Sequence, residues 1–184
     1  MAYRTETIGT WAQFRELADS PERKRWAFRG QAQVDAPLYW SLSRYLMTYG
    51  VHPDARPHQE LRILLIIHRK GHQRMDQPPA EEDLFQWLAL LQHHGAPTRL
   101  LDFTWSPYVA AFFALQAAIG PAVVWELCPP LLPVPEGMAP WIPGSYERDF
   151  VPNRHRVLAV GEPRRMNPRL SAQAGTFVDS RHSR

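Results

Sequence analysis

At 184 residues, 45% of them hydrophobic and 21% charged, the chain is long enough to bury one core and too apolar to be disordered throughout. A net charge of +3 with eight histidines, spread along the chain, excludes a basic tail; it suits a solvated surface slightly rich in arginine, or an anionic ligand such as a dinucleotide or nucleic acid. The lone Cys128 excludes an internal disulfide framework and a cysteine-based zinc site, and the longest apolar run, Val109 to Ile119, is too short to span a bilayer.

In chain order, the first residues carry no apolar run fit for a secretory signal, so the expected compartment is the cytoplasm. Thr10 followed by Gln13 is a capping-box pattern, and Trp11, Phe14, Leu17 and Ala18 share one helical face, which predicts a helix over residues 10–19 ended by Pro21. Trp26 to Gln31 alternates large and small side chains as a short strand would, with Gly30 marking a close backbone approach and Arg29 pointing away from Phe28. Residues 58–70 are apolar at 61, 64, 65 and, with His68 counted as half-buried, 68, which predicts a buried helix stopped by Gly71.

Glu81, Glu82 and Asp83 suit the positive end of a further helix whose core stripe is Leu84, Trp87, Leu88 and Leu91, closing at His93, His94 and Gly95. Thr98 to Phe103 has the length of a strand. Ser106 as N-cap and Pro107 at the first helical position open another helix that Gly120 terminates. Ala122–Leu127, Arg156–Val160 and Gly175–Asp179 read as strands, and the six prolines between Pro129 and Pro143 require a loop. The expected fold class is α+β: a helix-rich N-terminal two thirds packed on a small mixed or antiparallel sheet, as a single domain over 1–184 with its core at about 26–177. No phosphate-binding glycine loop or dinucleotide fingerprint is present.

Polar residues concentrate between Gln92 and Pro107, and binding groups collect where strands end and helices begin. Phe28-Arg29-Gly30-Gln31, Ser41-Leu42-Ser43-Arg44, the string HHGAPTRLLDFTWSPYVAAFFAL and the closing Gln173-x-Gly175-x-Phe177 together resemble the FRG domain, a family named for its Phe-Arg-Gly tripeptide. The resemblance runs from about Trp26 to Phe177 and implies a setting in prokaryotic conflict, phage defence or toxin action. A second, weaker resemblance is to the ADP-ribosyltransferase superfamily, whose members open with an aromatic-Arg-Gly strand and carry a strand ending in Ser or Thr before a helix. It implies an ADP-ribosyltransferase-like fold and NAD as candidate substrate, with no metal.

On that resemblance the catalytic candidates are Asp102, Arg29 and His94, and the ligand-binding candidates are Gln31, Gly30, Thr98, Arg99, Thr104 and Gln173. An arginine beside a glycine offers a planar, permanently charged fork to a pyrophosphate or ribose, and the glycine admits the ligand to the backbone. Cleaving the glycosidic bond of NAD passes through an oxocarbenium-like state that needs a carboxylate. The last strand, AQAGTFVDS, departs from the superfamily by lacking its glutamate, leaving Gln173 and Asp179 as poor substitutes and Asp102 or Glu126 as the alternatives.

Structural roles stand beside each of these. Arg29 could pair with Asp102, His93 and His94 could cap a helix, Thr98 and Arg99 could fix the turn after Pro97, and Ser41 and Arg44 could touch phosphate or be ordinary surface. Adjacent histidines diverge by about 100° on a helix, which disfavours a metal site. The rival function is a non-catalytic module binding nucleic acid or a protein through the same crevice. A partner subunit could dock on the Pro-rich loop through Leu131, Leu132, Trp141 and Ile142.

Overall fold

The computed structural model describes residues 4–52, 55–71, 73, 75–132 and 158–180. Thr10 accepts from the Gln13 amide while the Gln13 side chain returns to the Thr10 amide, and this capping box opens helix α1, Trp11–Ala18. The expected stripe is in place but not buried: Trp11 stacks on Phe14 and both meet Tyr108, yet Trp11 stays 53% exposed. Pro21 does end α1, and a 3-10 turn over Pro21–Arg25 leads into strand β1, Ala27–Gln31.

Helix α2 covers Ser41–Thr48 and helix α3 Arg56–Gly71. In α3, Leu64 is buried, whereas Leu65, expected in the apolar stripe, is 54% exposed. Gly71 does not follow the helix as a stop; it is the last helical residue, where a Cβ would lie 2.8 Å from the Trp87 ring. Its missing side chain therefore admits an indole rather than a positive φ.

Helix α4, Leu84–His93, begins as the sequence requires, with the Asp83 side chain accepting from the Gln86 amide at 3.1 Å. Strand β2, Leu100–Thr104, precedes helix α5, Pro107–Leu115, whose N-cap Ser106 accepts from the Val109 amide. This helix ends at Leu115, short of the expected stop at Gly120. Strand β3, Val123–Leu127, strand β4, Leu158–Gly161, helix α6, Pro168–Ala172, and strand β5, Gly175–Ser180, complete the α+β fold. Residues 156 and 157 of the expected strand, and 133–143 of the Pro-rich loop with Trp141 and Ile142, lie outside the described residues.

The five strands of the described residues join one antiparallel sheet in the order β3-β1-β2-β5-β4, which makes β2 central. One face carries Leu100 and Phe177 against Leu84, Phe85, Leu88 and Leu91 of α4, Leu64 of α3 and Leu170 of α6. Phe85 meets Phe177 edge-on at 6.2 Å, a geometry that adds about 1 kcal/mol to simple burial. The other face gathers Ala27, Leu101, Phe103 and Val178 under partly buried Trp40, Trp105 and Trp125. Among the described residues no helix is long and apolar enough to cross a membrane.

Burial pushes the Asp83 carboxyl above its ordinary value, more than the Gln86 amide and Arg164 pull it down. The folded chain therefore keeps this proton to higher pH than the unfolded chain, whose carboxyl titrates near 3.8. Its contribution to stability is present at low pH and declines as pH rises from about 3.8 through the raised folded value. Asp83→Asn, which keeps a capping oxygen without the charge, should be at least as stable as the parent at pH 7, with its advantage shrinking as the pH falls through that window. Asp83→Ala should lose about 1 kcal/mol with the cap. Urea unfolding across pH checks both.

Candidate functional site

The sheet is uneven in one place. β1 pairs with β3 over five residues, from Ala27↔Leu127 to Gln31↔Val123, and β2 pairs with β5 over five more, but β1 meets β2 at a single register pair, Phe28↔Thr104. Beyond that pair the strands part, and a hollow of about 340 Å³ opens at the parting.

Alternation along β1 turns Phe28 and Gly30 towards α5, and Arg29 towards the opposite face, beside Trp125. The same alternation puts the Asp102 side chain on the Phe28 face, so in a closed ladder Arg29 and Asp102 would lie on opposite sides of the sheet. The gap lets them meet: Arg29 donates from Nη1 to the Asp102 main-chain carbonyl at 2.7 Å, and both residues line the hollow. The contact replaces a missing ladder bond with a side chain; Asp102 engages Arg29 through its carbonyl oxygen rather than through the expected ion pair.

The Nε of Arg29 is buried and meets no acceptor among the described residues. An orphaned donor of this kind costs about 1–3 kcal/mol, or more on a charged group, until an acceptor arrives. Burial pulls the Arg29 guanidinium below the ordinary arginine value; the Asp102 charge opposes that shift and the Arg44 charge adds to it. Arginine still keeps its charge at neutral pH.

Asp102 is the exposed residue of its strand, between buried neighbours on either side, and is open to the hollow. Gln92 of α4 donates from Nε2 to Asp102 Oδ1 at 2.7 Å, and the Thr98 hydroxyl donates to Gln92 Oε1, which fixes which end of the amide faces the carboxylate. Thr98 in turn exchanges main-chain bonds with the Ser41 hydroxyl, accepting at 3.1 Å and donating at 2.9 Å, and its carbonyl takes the Leu42 amide. A continuous run of hydrogen bonds thus leads from the start of α2 to Arg29 through Thr98, Gln92 and Asp102.

Of the residues the sequence nominated, Arg29, Gly30, Gln31, Asp102, Thr104 and Gln173 line the hollow, and His94, Thr98 and Arg99 do not. His94 is the C-cap of α4, with its amide turned back on the helix, and the histidine at the hollow is His93. Thr98 is almost fully buried and works as the brace just described. Arg99 is part-buried and lines neither this hollow nor the smaller one beside it.

Gly30 lines the hollow for a different reason from the one expected. A Cβ there would fall 1.9 Å from the Ala110 carbonyl oxygen and 2.5 Å from the Ala114 amide, so the bare Cα admits helix α5 rather than a ligand. Gln31 accepts from the Trp125 indole, and the Thr104 hydroxyl donates to the Gln173 carbonyl at 2.7 Å while accepting from the Ser106 amide. Those contacts shape the wall and start α5.

The sequence reading passed over Gln92, Gln116, Asn167 and Arg169, which also line the hollow. Gln92 opens the dense polar segment and Arg169 stands four residues before the closing Gln173-x-Gly175-x-Phe177, so a signal existed for these two; Gln116 and Asn167 carried none. Asp179 stands opposite Leu100, at the far end of β5 from Gly175 and the hollow. Glu126 is bonded to Arg23 at 2.9 Å. Asp102 is thus the one carboxylate among the lining residues. No group of three or more His, Cys, Asp or Glu side chains that could hold a metal occurs among the described residues.

The family model described as the FRG domain matches residues 24–120. That span holds β1, α4, β2 and α5, and stops short of the closing segment that carries Gln173 and Phe177. No curated protein and no solved structure matches the chain.

Because Gly30 faces main-chain atoms of α5, Gly30→Ala should destabilise the protein by about 3 kcal/mol or more with no ligand present. Adding Ala110→Gly should not restore the loss, since the obstructing atoms belong to the backbone. Urea denaturation of the single and double variants measures both outcomes.

Proposed function

The chain belongs to the FRG-domain family, and on that premise we propose that its hollow binds a nucleotide and cleaves the nicotinamide-ribose bond of NAD, as a glycohydrolase or an ADP-ribosyltransferase. The observation that carries this reading is the sharing of one hollow by Arg29 and Asp102 where β1 and β2 part, with the Arg29 guanidinium on the Asp102 carbonyl. A volume of about 340 Å³ lies at the small end of ligand pockets, roughly 300–1,000 Å³, and suits a mononucleotide-sized half of the molecule. Phe28, Phe113 and Phe177 give it apolar wall, and Gln116 and Gln173 offer polar wall for ribose hydroxyls.

In this reading the C1′–N bond breaks and its electron pair leaves with nicotinamide, which departs neutral. Positive charge builds on the ribose, and Asp102, oriented by Gln92, faces that charge. Water, or a nucleophile of an acceptor, then bonds to C1′ and gives up its proton to solvent. Arg29 holds the anionic part of the ligand by its unfilled donors. Asp102 here takes the place of the glutamate that the last strand lacks. In a toxin or a defence system such chemistry would deplete NAD or mark a target.

The test uses NAD labelled on the nicotinamide ring and, separately, on adenine. The expected outcome is release of nicotinamide that Asp102→Asn lowers by about 100-fold or more with NAD binding kept within a few fold. Arg29→Lys should weaken NAD binding by roughly tenfold, because a charged fork is replaced by a point donor. A labelled protein or nucleic-acid adduct would identify a transferase, and its absence a glycohydrolase. No nicotinamide release, together with nucleic-acid binding that falls steeply between low and moderate salt, would replace the enzyme by a non-catalytic module.

A further inference from the structure

A second hollow of about 160 Å³ adjoins the first and shares Arg29, Gln92 and Asp102 with it. Its remaining wall comes from Ser41 and Arg44 of α2, from Gly95 and Ala96, and from Leu100 and Leu101. A water takes up ~30 Å³ of liquid, so the space equals roughly five waters. That is too small for a base with its sugar and adequate for a phosphate group.

Two arginines reach this small space from different elements, Arg29 from β1 and Arg44 from α2. Like charges set together are unfavourable unless an anion lies between them, and one carboxylate, that of Asp102, lines the space. Asp102 already spends Oδ1 on Gln92 and its carbonyl on Arg29, so the orphaned Nε of Arg29 still lacks an acceptor.

Arg44 is held in place, donating from Nη1 to the Tyr39 carbonyl at 2.6 Å. Ser41 lies three residues earlier on the same helical face. Its bonds to Thr98 fix the start of α2 against the brace that orients Gln92. The bonds to Tyr39 and Thr98 thus hold the positive wall in place before any ligand arrives.

We propose that the smaller hollow is a phosphate subsite in which Arg29 and Arg44 together clamp the phosphate of a ribonucleotide, while the sugar and base occupy the larger hollow across Asp102. The assignment rests on the nucleotide reading and deepens it: the ligand must carry a phosphate next to the ribose whose C1′ faces Asp102. Nucleosides and free bases fall outside that class. Arg44 is a binding residue in this scheme and has no part in bond cleavage.

Calorimetry with nicotinamide mononucleotide, nicotinamide riboside and inorganic pyrophosphate tests it, alongside the release of nicotinamide from NAD. The parent protein should bind the mononucleotide at least tenfold more tightly than the riboside. Arg44→Gln should weaken the mononucleotide and pyrophosphate but not the riboside, bringing mononucleotide and riboside within about threefold, and Arg44→Lys should recover part of the difference. Thermal melts should be little changed, because Arg44 is exposed.

Equal binding of mononucleotide and riboside by the parent, or a preference that survives intact in Arg44→Gln, would overturn the subsite; continued nicotinamide release would then leave the NAD-cleaving reading standing. Arg44-dependent binding of mononucleotide or pyrophosphate with no release of nicotinamide would uphold the subsite and overturn the cleavage. Failure of all three compounds to bind the parent would overturn the subsite, and the nicotinamide assay would decide the enzyme separately.

Discussion

Between β1 and β2 the sheet ladder holds at Phe28 and Thr104 alone, and the Arg29 guanidinium spans the rest of the gap by donating to the Asp102 carbonyl. Two strands that part in mid-sheet leave main-chain groups without partners, and buried main-chain groups must find some. A long, charged side chain serves here because it brings several donors to one place and reaches further than a backbone amide. The result is an opening in the middle of the molecule with a positive charge at its edge. Its neighbours are firm: β1 is held by β3 and α5, and β2 by β5 and α4.

The carboxylate opposite that charge is positioned from behind. Gln92 would be free to turn its amide over if nothing held its oxygen, and the Thr98 hydroxyl holds it. Thr98 is held by Ser41 and Leu42, so the orientation of a side chain at the opening depends on a helix whose sequence lies some sixty residues away. Networks of this kind are firm when every member is satisfied and weak when one is removed. The brace also explains why Thr98, a polar residue of the segment between Gln92 and Ser106, is buried away from the hollow that Gln92, His93, Asp102 and Thr104 line.

Much of the fold was legible because local chemistry decided it. The capping box at Thr10, the acid at Asp83 and the Ser106-Pro107 pair each placed a helix start, alternation placed β1, and β-branched and aromatic content placed β3. Burial was less legible. Trp11 and Leu65 have the periodicity of core residues and remain exposed, since periodicity reports a face and says nothing of whether another element covers it. At the site, Arg29 stood out within the Phe-Arg-Gly tripeptide, and Asp102 as a charge within an apolar strand. The choice between His93 and His94 depended on the helical phase at the last turn of α4, which sequence fixes only to within a residue or two. The duties of Thr98 and Gln92 depend on bonds between distant segments, and no spacing encodes those.

The Phe-Arg-Gly tripeptide joins two obligations of different kinds. Its arginine serves the opening, and its glycine serves the helix packed behind the strand, where main-chain atoms of Ala110 and Ala114 leave no room for a methyl group. A descendant that had abandoned the ligand could exchange Arg29 at the expense of one hydrogen bond. It could not exchange Gly30 without moving α5. Across related chains, then, persistence of the glycine would testify to inherited architecture, and only the arginine beside it would testify to a working pocket.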